Sequence, residues 1–511
     1  MTRAVGRRDV LRGGLAGTGM WLAGLRIAEL AEALPSPSGQ SFKVAAKERP
    51  NTSDDLAYLT IAEAAELIRT RRLSPVELVD ACLARIDRHE PAIKAWITVF
   101  PKKARAEAKA AADEIARRGP RSPLHGIPIG HKDLYDMKGV RTTAGSRVRA
   151  DAPPAKRDSA AVVTLRNAGA IALGKTNTHE FAYGVWTPPT SNPWDTARIP
   201  GGSSGGTAAA LGAGMCLGGT GSDTGGSIRI PSSLCNTVGI KPTFGRVSKA
   251  GIVPLAWSLD HAGPIGRSVE DCALMLNVIA GPDKADPTTA SASVPDFTAD
   301  LRKSVRGLVV GVPKSVFFEG ADPETERLVR KAIRVLKSSG VRVKQLDMPP
   351  TQGAAATAFL VIVLVEALAA HEFYLRRRPH EYQSQTHALL ALGAQWTGHH
   401  YMRAQRIRTI NIRQWMKIFD EVDVVLTPAT PRPAPTKEEA EATGVFDLIN
   451  YTQAFDFNGC PSISVPAGFT NDGLPVGLML SARPFNEPVI LRLAYAYQEE
   501  TGFNRRRPRL E

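Results

Sequence analysis

Gly221-Ser222-Asp223-Thr224-Gly225-Gly226-Ser227-Ile228-Arg229-Ile230-Pro231 sets a serine, Ser227, behind a pair of glycines and two residues ahead of an arginine. A Gly-Gly pair leaves the backbone bare, so a ligand can approach its N–H groups closely. A second serine pair stands upstream, in Gly201-Gly202-Ser203-Ser204-Gly205. It runs into Thr207-Ala208-Ala209-Ala210-Leu211, a good helix start. Its unpaired N–H groups therefore lie at a dipole-positive end. Further upstream, Gly126-Ile127-Pro128-Ile129-Gly130-His131-Lys132-Asp133 carries an apolar strand that leads to a lysine.

Outward from these segments, helices alternate with apolar strands. Ser74-Pro75-Val76-Glu77 is a capping box with proline at the first helical position. It opens a helix with Val76, Leu78, Val79, Cys82 and Leu83 as apolar residues. Lys102 to Arg118 is alanine-rich and helical, and Ala160 to Asn167 reads as a helix. Ala170 to Leu173 reads as a short buried strand, as do Leu308 to Val312, Val341 to Val343 and Val422 to Leu426. Pro323 to Ser339 is a helix between two of these strands. The alternation predicts an α/β fold with one large domain.

The chain has 511 residues, 43% hydrophobic and 22% charged. That balance excludes wholesale disorder and fibrous classes. The cysteines (82, 216, 235, 272, 460) are odd in number and form no CxxC pair, which argues against a disulfide framework and a cysteine zinc site. The longest apolar run, Phe359 to Val365, stops at Glu366 and reads as a buried helix, so no stable membrane span is expected. The net charge is +14, with a tail cluster at Arg505, Arg506, Arg507 and Arg509. No recognition motif or aromatic-basic interleaving accompanies it, so a solvated basic surface is expected and no nucleic-acid partner.

Residues 1–33 read as an export signal. Arg7-Arg8-Asp9-Val10-Leu11-Arg12 is followed by a weakly apolar stretch from Gly13 to Leu25, then Arg26, Glu29 and Glu32. The segment resembles a twin-arginine signal, which implies a periplasmic or extracellular location; a mere basic arm would leave the chain cytoplasmic. Ala31-Glu32-Ala33 has the small-residue pattern of a cleavage site, and where cleavage falls stays open. Residues 34–55 read as a linker, and 56–511 as the catalytic domain.

Two motifs are decoys. Gly169-Ala170-Ile171-Ala172-Leu173-Gly174-Lys175-Thr176 matches the phosphate-loop pattern GxxxxGK[ST]. Its four intervening residues are apolar and read as strand, so their N–H groups are expected in a sheet ladder and not around phosphate. Gly201 to Gly205 matches GxSxG, which would make Ser203 the nucleophile of an α/β-hydrolase-like esterase. That elbow needs a strand before it, whereas Asn192 to Pro200 reads as a loop with prolines near both ends. Asp260-His261 are neighbours in sequence and poorly placed to act as orienter and base.

Taken together, the Lys132, Ser203 and Ser227 segments resemble the amidase signature family. Gly174-Lys175-Thr176-Asn177 with Glu180-Phe181, Gly239 to Thr243, Ser258 to Pro264 and Cys460 to Pro466 agree in order. The resemblance covers roughly Leu56 to Phe503. It implies a central mixed, twisted sheet covered by helices. It implies an amidase that cleaves a carboxamide to an acid and ammonia or an amine, with no cofactor and no metal. Carried onto this sequence, Ser227 is the nucleophile, Ser203 the cis-peptide relay and Lys132 the base. The N–H groups of Thr224, Gly225, Gly226 and Ser227 are the oxyanion donors. The family also contains the glutaminase-like subunit of tRNA-dependent amidotransferases, an alternative that the export segment opposes. The oligomeric state stays open, a homodimer included.

The chemistry is physically coherent. A serine hydroxyl needs a neighbouring base. A lysine can serve only when neutral, and desolvation lowers its pKa. Asp133 would defeat this by pairing with Lys132, so it is expected to point elsewhere. Asp223 and Arg229 are expected to support the nucleophile loop through a salt link. Lys175 and Lys241 read as structural or surface residues, and His399-His400 as a solvated helix end. The Ala- and Leu-rich region around residues 354–370 is expected to line or cap the acyl pocket.

Overall fold

In the computed structural model, which describes residues 49–510, eleven strands form one mixed sheet. They are β1 (Trp96–Val99), β2 (Pro128–Lys132), β3 (Ile171–Thr176), β4 (Gly218–Asp223), β5 (Val238–Lys241) and β6 (His261–Gly266). The remainder are β7 (Val309–Pro313), β8 (Arg342–Leu346), β9 (Val424–Pro428), β10 (Ser462–Phe469) and β11 (Pro475–Ser481). The order across the sheet is β1-β3-β2-β4-β6-β5-β10-β11-β9-β7-β8. β2 runs parallel to both β3 and β4, and β7 parallel to β8 and β9; the other pairings are antiparallel.

The apolar strands expected from sequence are β2, β3, β7, β8 and β9. β4 and β6, with sequences GGTGSD and HAGPIG, lack the branched residues that mark a strand. Packing explains the composition. A Cβ on Gly219 would stand 2.5 Å from Thr207 Cγ2 and 2.9 Å from the Gly130 carbonyl oxygen. The helix Gly205–Gly212 thus lies so close to β4 that only glycine fits beneath it.

The expected helices form with their caps. Ser74 and Glu77 close a capping box at the head of Pro75–Ile93. Pro101–Arg118, Ala160–Asn167 and Pro323–Ser338 follow. The helix opening at Gly398 is capped by Thr397 and His400, and His399 and His400 are exposed there.

Two bounds differ from those expected. First, the apolar run Phe359 to Val365 is largely buried in a helix, as expected, but that helix continues past Glu366 and runs from Ala354 to Arg377, 24 residues. Glu366 is tolerated because its carboxylate accepts from Ser258 N (2.8 Å), Ser258 Oγ (2.7 Å) and Tyr401 Oη (2.7 Å). By length and composition alone this helix could cross a membrane, but half of its apolar window is buried inside the protein. Second, the stretch read as a linker to residue 55 is already helical at its end. Thr52 caps Ser53–Ala57, and Asp54 pairs with Arg85 and Arg88 of the following long helix. The export reading of residues 1–33 lies outside the described residues.

One core cluster, with Trp186, Ile199, Ile230 and Leu234, grips the short helix Arg229–Leu234 just after Ser227. Another, with Phe317, Trp415, Phe455 and Met479, lies under β9 and β11. The described cysteines are buried free thiols.

Candidate active site

β2 and β4 are neighbours in register, with Ile129 opposite Gly218 and Gly130 opposite Gly219. Being parallel, they deliver their C-terminal ends to the same side of the sheet. β2 ends on Lys132, and β4 runs through Asp223 into the Thr224–Ile228 loop. The Gly205–Gly212 helix points its N-terminus, with Ser203 and Ser204, into the same place.

Lys132 is wholly buried. Its Nζ lies 2.7 Å from Ser203 Oγ, 2.9 Å from Ser204 Oγ and 2.9 Å from Ser222 Oγ. Among the described residues it joins no ion pair. Burial pushes its pKa down to about 7, while Asp223 and Asp260 pull it back toward the charged form. Asp133 points away, pairing at 2.7 Å with Lys175 Nζ and accepting from Thr143 N at 2.9 Å. Lys175 is therefore a buried structural cation within β3. It is neither a surface group nor a phosphate ligand. Lys241 is likewise fully buried, donating to the Cys460 carbonyl at 2.6 Å. Burial holds its pKa down at about 8.

Ser203 follows a cis peptide bond from Gly202. Among the described residues no strand leads into it, so the elbow of an α/β-hydrolase is not built here. Its carbonyl accepts from His179 N at 3.2 Å and from Thr187 Oγ1 at 3.1 Å. Ser204 N donates to the Ser227 carbonyl at 3.1 Å, tying the two serine segments together. Among the described residues no hydrogen bond joins the hydroxyls of Ser203 and Ser227.

The N–H groups of Thr224, Gly225, Gly226 and Ser227 donate to no protein acceptor among the described residues. They form a run of free donors beside a buried serine, which is what a developing oxyanion requires. Gly226 has φ +142°, and a Cβ there would meet Thr452 Oγ1 at 2.2 Å, so the position demands glycine.

Asp223 and Arg229 form the expected link, and it extends further. Arg229 Nε and Nη2 reach the two Asp223 oxygens at 3.0 Å each. Nη2 also bonds Asp456, and Nη1 donates to the Thr452 carbonyl at 2.9 Å. Burial opposes charge on Asp223, but the Arg229 guanidinium outweighs it and holds the carboxyl well below the usual range. Asp223 Oδ2 also accepts from Ile228 N at 3.0 Å, so the carboxylate clamps the loop from inside.

A cavity of about 320 Å³ opens beside Ser222 and Thr224, with walls that include Leu134, Val253, Leu255 and Trp257. Asp260, at its edge, accepts from Thr224 Oγ1 at 2.6 Å and from Leu255 N at 2.9 Å; burial raises its pKa. From the 354–377 helix, the Phe359 ring comes within 3.2 Å of where a Cβ on Gly225 would stand. That places the helix against the glycine loop, whereas the cavity takes none of its walls from residues 354–370.

Sequence reasoning missed Ser222, Thr452 and Asp456. The first was within reach, since Thr220 and Ser222 share a face of β4 by two-residue alternation, and that face meets Lys132. The other two come from a distant segment with no local signal.

The chain belongs to the Amidase family, whose profile matches residues 77–491. It is thus an enzyme of a family that hydrolyses amide bonds. It is 44% identical over 464 residues to an amidase of Pseudomonas putida, covering 89% of this chain and 98% of that one. It is 40% identical over 482 residues to the A subunit of the glutamyl-tRNA(Gln) amidotransferase of Myxococcus xanthus, covering 88% and 99%. The solved peptide amidase in complex with the inhibitor chymostatin superposes with a TM-score of 0.78 at 30% identity, covering 88% and 99%.

Proposed function

We propose that this chain hydrolyses a carboxamide by attack of Ser227, with Ser203 as relay and Lys132 as base. The observation that carries the reading is a fully buried lysine, without a carboxylate partner among the described residues, 2.7 Å from Ser203 Oγ. Proton bookkeeping agrees. A neutral amine has two N–H bonds and one lone pair. Ser204 directs its own O–H at the Ser222 carbonyl, 3.2 Å away, so its oxygen is left to accept from Lys132. Ser222 takes the other N–H. The lone pair then faces the Ser203 hydroxyl, which gives up its proton to Lys132 and can take one from Ser227. The Ser203–Ser227 contact closes when substrate is bound, as catalytic hydrogen bonds often do.

As Ser227 Oγ adds to the carbonyl carbon, the oxyanion enters the run of N–H groups from Thr224 to Ser227. Collapse expels the amine, which receives its proton through Ser203. Water then adds to the acyl-enzyme by the same route and releases the acid. A fluorophosphonate probe tests this directly: it should label Ser227, and labelling at Ser203 or nowhere would overturn it.

The cavity takes the substituent of the amide, and its apolar walls favour alkyl or aryl groups. Trp257→Ala should raise KM about tenfold for amides with a large apolar group and leave small aliphatic amides nearly unchanged. A panel of aliphatic, aryl and peptide amides measures this.

A second reading, the glutaminase-like subunit of an amidotransferase, is favoured by the Myxococcus xanthus relative. It predicts glutamine hydrolysis that depends on partner subunits and tRNA. The simple amidase turns over alone. We further propose export through the Arg7-Arg8 segment, which would separate the chain from a cytosolic tRNA. Replacing both arginines with lysine should retain the protein in the cytosol, and unaltered fractionation would sink that proposal.

A further inference from the structure

We propose that Thr452 is a positioning residue for the oxyanion site, fixing the Gly225–Gly226 peptide through a hydrogen bond to its carbonyl. This rests on the reading of Ser227 as nucleophile. Thr452 is fully buried and lies far along the chain from the glycine loop. Its hydroxyl donates to the Gly225 carbonyl at 2.6 Å, shorter than its 3.3 Å approach to the Ile449 carbonyl.

The geometry of a peptide makes this contact consequential. A trans peptide is planar, with its C=O and N–H pointing in opposite directions. Holding the Gly225 carbonyl toward Thr452 therefore turns the Gly226 N–H away from Thr452. That N–H is one of the four donors that find no protein acceptor among the described residues. The next peptide is fixed in a comparable way, because the Gly226 carbonyl accepts from Ile230 N at 2.7 Å and aims the Ser227 N–H. The two differ in origin. Ile230 belongs to the helix that follows the nucleophile, whereas Thr452 reaches in from a separate segment.

The Gly-Gly pair makes an external hold necessary. Two glycines in succession have little intrinsic preference for one φ/ψ, so their peptide plane is free to rotate. Gly226 must also remain glycine, since a Cβ would meet Thr452 Oγ1 at 2.2 Å. The loop is bare where the ligand must approach, and the orientation its glycines cannot supply comes from Thr452. Thr452 is itself anchored, because its carbonyl accepts from Arg229 Nη1 at 2.9 Å. Arg229 binds Asp223, and Asp223 holds Ile228 N. One connected set of bonds thus grips the loop from both ends. A hydrogen bond at the carbonyl also polarises the amide and makes its N–H a better donor.

Thr452→Val keeps the shape and removes the hydroxyl, and Thr452→Ser keeps the hydroxyl and removes the methyl. Thr452→Val should lower kcat by about 10- to 100-fold with KM changed less than about threefold, because the donor acts on the transition state. Fluorophosphonate labelling of Ser227 should slow in parallel, since the phosphoryl oxygen occupies the same donors. Thr452→Ser should restore most of both. Full kcat in Thr452→Val, or equal impairment of the serine and valine variants, overturns the proposal. If Thr452→Val does not fold, Thr452→Ala carries the same expectation, checked by its melting temperature. Ser227→Ala separates the two levels of argument: an active Ser227→Ala enzyme removes the underlying reading, whereas an inactive one beside a fully active Thr452→Val enzyme removes only this inference.

Discussion

Ser227→Ala lowers kcat by at least about 10⁴-fold in the expected result, with ammonia or amine release as the measurement, and abolishes fluorophosphonate labelling. The reason is chemical. Alanine offers no oxygen to the carbonyl carbon, so no acyl-enzyme forms and only the donors and the binding pocket remain. The fold should be nearly untouched. Ser227 is buried, but its hydroxyl makes no hydrogen bond within the described protein, so losing it leaves no partner unsatisfied. The melting temperature and KM for amides should therefore stay close to those of the unaltered enzyme. A variant that still turned over would move the nucleophile elsewhere. Ser203 is the natural second candidate, because Lys132 touches it directly. Labelling settles that choice independently of rate.

What could be read from sequence, and what could not, divides along a physical line. The strands β3, β7, β8 and β9 announce themselves because their branched apolar residues are stabilised by the sheet itself. β4 does not, because its glycines answer to the Gly205–Gly212 helix packed against it, and residue preference says nothing of a distant neighbour. The lysine and the two serines were visible through their motifs. Their convergence was not, since it depends on the parallel register of β2 beside β4. Asp133 was expected to avoid Lys132, but the cause, a buried Lys175 on the next strand, emerged only from the pairing of His131 with Lys175 and Lys132 with Thr176 across β2 and β3. The phosphate-loop decoy failed for the reason its apolar filling suggested: Ile171 to Thr176 form β3, paired with β2 and β1, and Lys175 is in addition occupied by Asp133. Asp456 and Thr452 were invisible because their roles belong to contacts with Arg229 and Gly225, 223 to 227 positions away along the chain.

On the proposed mechanism, Lys132 is expected to carry the pH dependence. The amine is a base only when unprotonated, and in the folded protein its pKa sits at about 7. Activity should therefore climb about tenfold per unit as pH rises toward 7, and level off above it. Lys132→Met should remove that limb and lower kcat/KM by about 10³-fold or more at pH 8. Lys132→Arg is the sharper variant. It supplies donors and a permanent charge, and because a guanidinium cannot give up its proton it should be equally inactive. An active arginine variant would mean that the site uses a positive charge and not a proton acceptor. The same group should leave a mark on stability. Unfolded, the lysine titrates near 10.5, the value burial has lowered in the fold. Below pH 7 both states hold the proton and the burial penalty is fully present, roughly 5 kcal/mol at ~1.4 kcal/mol per pKa unit. Between pH 7 and about 10.5 the unfolded state binds more protons, so the contribution of Lys132 to stability improves as pH rises through that window. Denaturant midpoints measured across it should show the unaltered enzyme gaining on Lys132→Met by up to about 1.4 kcal/mol per pH unit. A parallel pair of curves would mean that the buried amine has an ordinary pKa. It would then be charged at neutral pH and unable to draw a proton from Ser203.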